Sequence, residues 1–186
     1  MVSGWNCGGF WRLVVDRVRW SLIGFASLFI IVPAVAGTLP NGASAINEVY
    51  HEWHLDCRNS EDGVKCKISQ RLLEGKSQQV FFRIEFTPMA SGEPHGLMIT
   101  PFGLSLVEGV TVETSGETVG DVYAFSTCLP TGCEAPFDLD ELQFKNFLKT
   151  ENVKFAFTTL KGKVVNFQLS TAGLSDALTR ASFLMK

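Results

Sequence analysis

The sequence contains neither a glycine-rich phosphate loop nor a dinucleotide fingerprint, and it has only three histidines in 186 residues. Nucleotide-dependent chemistry has no recognisable cradle here. The string His51-Glu52-Trp53-His54 lacks the two histidines four apart on a helix that a zincin needs. If His51 and His54 share a strand, residues three apart point to opposite faces, so they do not chelate one ion together. His95 falls in a loop-forming stretch without an evident partner. No Cys-x-x-Cys occurs, and four cysteines spaced by eight and four intervening residues suit neither a zinc knuckle nor a redox pair. The segments Gly103-Leu104-Ser105-Leu106-Val107 and Gly173-Leu174-Ser175-Asp176-Ala177 each miss the final glycine of a nucleophile elbow, so Ser105 and Ser175 read as turn and capping residues. Glu134, Asp138, Asp140 and Glu141 lack the acidic alternation of a calcium loop, and carboxylates beside a helix start are favoured by the helix dipole in any case. There is also no basic run with interleaved aromatics, which argues against a nucleic-acid partner. Neither a catalytic constellation nor a cofactor is expected.

What the chain does have begins at its N-terminus. Arg12, Arg17 and Arg19 precede an apolar run over 22–35 and then small residues, the order of a secretory signal. Ala34-Val35-Ala36 offers a cleavage site that leaves Gly37 first, and Ala43-Ser44-Ala45 offers a second that leaves Ile46. The alternative is an uncleaved membrane anchor, against which the run is somewhat short and holds Pro33 near its end. The expected organisation is a signal peptide over 1–36, a flexible leader over 37–48 rich in Gly, Ala, Pro, Asn and Ser, and one domain over 49–186. Removing 1–36 takes away three arginines and Asp16 and leaves 13 basic and 18 acidic residues, a net charge near −5.

Four cysteines remain in that exported chain, an even number that favours two disulfides in an oxidising compartment. Of the three connectivities, the local one joins Cys57 with Cys66 and Cys128 with Cys133. It agrees with a β-hairpin register in which Leu55 faces Ile68, Trp53 faces Gln70 and His51 faces Leu72 across a loop over 60–63. This register puts Trp53, Leu55, Cys57, Cys66, Ile68 and Leu72 on one face. His54, Asp56, Arg58, Lys65, Lys67, Ser69 and Arg71 fall on the other, and a one-residue slip would mix the two sets.

The rest of the chain reads as closely spaced strands with glycine turns. Val80, Phe82, Ile84 and Phe86 alternate with Phe81, Arg83 and Glu85, and strands are expected over 97–100, 104–107, 110–114 and 121–128. Val153, Phe155 and Phe157 should face the core with Val165, Phe167 and Leu169 across the hairpin turn Lys161-Gly162-Lys163. Asp138 fits a helix N-cap, with a short helix over 139–149, and Leu174, Ala177, Leu178 and Ala181 fit a C-terminal helix laid on the sheet. The fold class is mostly β: an antiparallel β-sandwich or barrel-like domain with one or two short helices. The candidate interaction surface is the locally basic strip of His54, Arg58, Lys65, Lys67 and Arg71, joined by the outward-facing Phe81.

Several motifs then fall in a telling order: Trp53-x3-Cys57, Cys66-x-Ile68-x-Gln70, Ile99-Thr100-Pro101-Phe102-Gly103-Leu104-x-Leu106, Gly109-Val110, Cys128-x4-Cys133 with Gly132 before the last cysteine, and Leu169-Ser170-x2-Gly173-Leu174-x2-Ala177-Leu178. Together they resemble the invasion-associated locus B family over about 50–183, with Phe102 and Leu174 as modest departures from its pattern. The resemblance implies a small exported β-rich protein of Gram-negative bacteria, periplasmic or surface-associated, of a family linked in pathogens to host-cell entry. It carries no catalytic residues over to this chain. The expected function is that of a non-enzymatic envelope protein acting through an unknown protein partner, of the envelope or a host-cell surface. A periplasmic enzyme or assembly factor with an unrecognised site is the alternative from another class, and a membrane-anchored periplasmic domain is the third. Membrane contact is expected only through an uncleaved N-terminal segment. Mass spectrometry of the exported protein with and without reductant should show two intramolecular disulfides, and free thiols at Cys57 and Cys66 would overturn the hairpin argument.

Overall fold

In the computed structural model, which describes residues 38–75, 80–89, 92–114, 117–118 and 122–186, strand β1 (Ala45–Tyr50) runs antiparallel to β2 (Trp53–Ser60), and β2 to β3 (Gly63–Leu73). Cys57 stands opposite Cys66 and Leu55 opposite Ile68, as the cysteines require, and both disulfides, Cys57–Cys66 and Cys128–Cys133, are formed. Two details differ from the expected hairpin. Pairing continues to Ser60 opposite Gly63, whose φ of 109° lets the strand start at the turn, so the tip is Glu61-Asp62 alone. At the other end the ladder stops at His54 opposite Ser69, because the chain already reverses at His51-Glu52 between β1 and β2. His51, with φ 55°, belongs to that turn and does not face Leu72.

The stretch expected as a leader also carries structure. Leu39 is buried, a 3₁₀ turn spans Pro40–Gly42, and β1 begins at Ala45. As an edge strand with a half-exposed face, β1 shows too little apolar alternation to be read as a strand. The expected signal segment, 1–36, lies outside the described residues.

Onward from β3 come β4 (Val80–Thr87), β5 (His95–Thr100), β6 (Val110–Thr114), β7 (Glu117–Thr118), β8 (Thr127–Leu129), β9 (Gly132–Pro136), helix α1 (Glu141–Lys149), β10 (Asn152–Thr158), β11 (Val164–Ser170) and helix α2 (Leu174–Leu184). One sheet of seven strands has the order β1-β2-β3-β4-β5-β9-β8, and a second of four has the order β11-β10-β6-β7. All pairings are antiparallel, as expected for a sandwich. Between the sheets lies an aromatic core. Phe82 contacts Phe155 and Phe167 with ring centroids 5.2 and 4.5 Å apart, while Phe86 meets Trp53, Phe137 and, from α1, Phe144 and Phe147.

Three expected elements shift. The stretch 104–107 is not a strand; Leu104 makes a single bridge to Thr159. The strand expected over 121–128 is reduced to β8, while Tyr123 bridges Val110. Helix α1 is capped by Asp140, not Asp138: its carboxylate accepts from the Gln143 amide, and the Gln143 side chain accepts from the Asp140 amide. Asp138 is taken by His95 and the Gly96 amide, which removes it from the cap.

Helix α2 closes the structure over β1–β3 with Leu174, Ala177, Ala181 and Leu184 buried. Its approach demands glycine at Gly173, where φ is +89° and a Cβ would lie 2.4 Å from the Tyr50 carbonyl oxygen. Trp53 Nε1 donates to the Ser170 carbonyl, and Arg180 grips Glu48 of β1 through Nε and Nη2 at 3.0 and 2.8 Å. Those Arg180 hydrogen bonds, with one from the Tyr50 hydroxyl, hold the Glu48 carboxyl below the usual carboxylate range. A carboxyl lowered on folding contributes stability above its unfolded pKa and loses it as pH falls through the folded one. Glu48→Gln should therefore cost about 0.5–1 kcal/mol in denaturant unfolding at neutral pH, the partly exposed pair being screened by solvent. The gap to wild type should close as pH falls below 4.5, and a gap independent of pH would refute this account.

Candidate functional site

The inner face of the seven-stranded sheet is filled by the core, and its outer face carries a row of charged side chains. On β3 the residues Lys65, Lys67, Ser69 and Arg71 alternate outward. At about 3.4 Å per residue they mark a line of roughly 20 Å. Pairing adds Arg58 opposite Lys65, Asp56 opposite Lys67, Glu85 opposite Ser69 and Arg83 opposite Arg71. These side chains line an open concavity of about 650 Å³ that also reaches Thr87. Five cations and two carboxylates share it, on a chain whose net charge is −3.

Glu85 sits at the centre of this arrangement. It is only 6% exposed, and a buried carboxylate needs compensation. Lys67 Nζ lies 2.7 Å from one of its oxygens and Arg83 Nε 3.0 Å from the other. The Arg83 Nε contact is one of charge, since its N–H is not aimed for a hydrogen bond. Directly across the strands Arg71 faces Arg83, a like-charge pairing that Glu85 moderates from two residues away. Arg58 and Arg71 form no ion pair among the described residues, and Lys65 has only an exposed one with Asp62 at 3.2 Å. The face thus holds unspent positive charge around one neutralised carboxylate.

Of the residues expected to form the interaction surface, Arg58, Lys65, Lys67 and Arg71 are brought together. His54 is on the same face, exposed, but outside the concavity. Phe81 is a correction: it is half-buried and packs on Phe157 and Phe167, with ring centroids 5.6 and 5.7 Å away. The reason is a β-bulge. Pairing shifts between Leu72 opposite Phe82 and Leu73 opposite Val80, so Phe81 is the extra residue and turns toward the second sheet while Val80 is exposed. Arg83 and Glu85 were readable as outward from the alternation of β4. Their place beside Lys67 and Arg71 required knowing that β3 pairs with β4.

The other chemistry-bearing residues are dispersed. His95 pairs with Asp138, Asp140 caps α1, Glu141 pairs with Lys145, and Glu134 lies on β9 opposite Ile99. Ser105 lies in the 101–109 loop with its amide bonded to the Thr158 carbonyl, and Ser175 in the first turn of α2. Among the described residues no three of His, Cys, Asp and Glu converge in a metal-binding group.

Comparison with known proteins agrees with this architecture. A model of the family described as "Invasion associated locus B (IalB) protein" matches residues 53–182. An Invasion protein B homolog of Brucella abortus (strain 2308) is 33% identical over 154 residues, covering 82% of this chain and 88% of the relative. Invasion protein B of Bartonella bacilliformis is 27% identical over 157 residues, covering 83% of each. The crystal structure of invasion associated protein B from Bartonella henselae superimposes with a TM-score of 0.65 over 75% of this chain and 96% of the other; at 19% identity it bears on the fold. With the family model matching 53–182 and a relative 33% identical over 82% of its length, this chain belongs to the invasion-associated locus B family.

Proposed function

We propose that this protein is an exported, non-enzymatic binding protein of the bacterial envelope, periplasmic or surface-associated, which holds an acidic protein partner on the outer face of its seven-stranded sheet. The observation that carries this reading is the concavity in which five cations meet two carboxylates while Arg58 and Arg71 form no ion pair among the described residues. The paired strands fix where these cations stand, each unpaired arginine still gives up rotamer freedom on binding, and guanidinium groups offset that cost by suiting carboxylates through two parallel hydrogen bonds. The names of the relatives, Invasion protein B and its homolog, favour a partner met during host-cell entry.

The test uses immobilised poly-L-glutamate as the acidic probe, with retention measured along a salt gradient. Wild type should be held to higher salt than Arg58→Ala/Arg71→Ala, because each lost cation reduces the charge that salt must screen. Unfolding of the double variant should stay within about 0.5 kcal/mol of wild type, since both side chains are on the surface and Arg71 faces a like charge. Equal retention of the two proteins would remove this face as the binding surface.

A further inference from the structure

A second surface lies at the corner where the chain leaves β5 and where β10 turns into β11. The 101–109 loop and the 159–163 turn form one unit: the Leu160 amide donates to the Gly103 carbonyl at 2.9 Å, the Ser105 amide to Thr158 at 2.8 Å, and Leu104 bridges Thr159. Leu104 points in and is buried, anchoring the loop on the core. Its neighbours do the opposite. Val107 is 99% exposed, Leu160 75% and Phe102 61%, with Leu106 and Val164 also exposed. Five of the thirteen exposed large apolar side chains among the described residues are gathered at this one corner. Lys161 and Lys163 flank them, exposed and without an ion pair among the described residues, and Glu108 is the one carboxylate within the two loops.

We infer that this corner is a peripheral membrane-docking tip that inserts its apolar side chains into an anionic lipid surface. Leaving Val107, Leu160 and Phe102 in water is unfavourable in proportion to their apolar area, and a bilayer interface removes that area without a shaped protein pocket. The two lysines match anionic headgroups, which attract cations standing beside an inserted apolar group, and their stems can lie along the acyl boundary. The loops are tied to each other by backbone hydrogen bonds, so insertion orders little that is not already ordered. The surface is separate from the basic concavity: none of its residues lines that depression.

Hydrogen exchange on the full-length chain tests this, because it reads each segment locally whatever the N-terminal region does. Adding vesicles of phosphatidylcholine containing phosphatidylglycerol should slow exchange of the amides over 101–109 and 159–164 by about tenfold or more, while pure phosphatidylcholine vesicles should do so far less. In Val107→Asp/Leu160→Asp this protection should vanish, with both disulfides and the unfolding midpoint unchanged, since both side chains are already in water. Lys161→Ala/Lys163→Ala should keep weak protection that no longer depends on phosphatidylglycerol. Unprotected loops, protection that survives the double aspartate variant, or equal protection on neutral vesicles would overturn the inference. So would protection without vesicles that grows with protein concentration, which would mark a contact between two copies.

Discussion

The two faces of the β2–β3 hairpin, on which the basic strip lies, are fixed by Cys57 standing opposite Cys66. A strand has period two, so a register error of one residue would carry Lys65, Lys67 and Arg71 into the core and expose Ile68. The disulfide forbids that slip in the folded chain and also restricts the unfolded one, which on the chain-entropy account is worth about 2–3 kcal/mol for so short a loop. Both sulfurs belong to the inner face, so the link that fixes the basic surface is hidden beneath it.

From that hairpin the two faces acquire different physics. Inward, aromatic contacts between Phe82, Phe155 and Phe167 and around Phe86 join the sheets, and α1 contributes Phe144 and Phe147 to the same cluster. Helix α2 completes the core over β1–β3, where Gly173 lets the chain pass the Tyr50 carbonyl and Arg180 holds Glu48. Outward, charge collects around Glu85, whose burial is sustained by Lys67 and Arg83. Replacing either cation would leave a buried carboxylate less well compensated. These two cations therefore serve the sheet as well as the surface, whereas Arg58 and Arg71 have no ion-pair partner among the described residues.

The corner at 101–109 and 159–163 works by a different principle, with apolar side chains held out on hydrogen-bonded turns. Phe81, displaced by the bulge, packs on Phe157 and Phe167, in the strands that flank the 159–163 turn. The charged concavity depends on ionic strength, the corner on apolar area, and the two can be altered independently.

The amino-acid sequence alone carried the hairpin register around Cys57 and Cys66, a preference for the local disulfide pairing among three, the antiparallel class, the β10–β11 hairpin and the C-terminal helix. Each is written in local features: cysteine spacing, period-two and period-3.6 alternation, and glycine turns. The strip Arg58, Lys65, Lys67 and Arg71 was legible for the same reason, since it lies within one hairpin. Only the tertiary structure decided what lies across strands distant in sequence. It brought Arg83 and Glu85 beside that strip, rotated Phe81 inward through a bulge opposite Leu72 and Leu73, recruited β1 from an unremarkable leader, and moved the α1 cap to Asp140 because His95 and Gly96 occupy Asp138. Alternation tells which side of a strand a residue is on, but a bulge, an edge strand or a competing hydrogen-bond partner is settled by neighbours that only folding supplies.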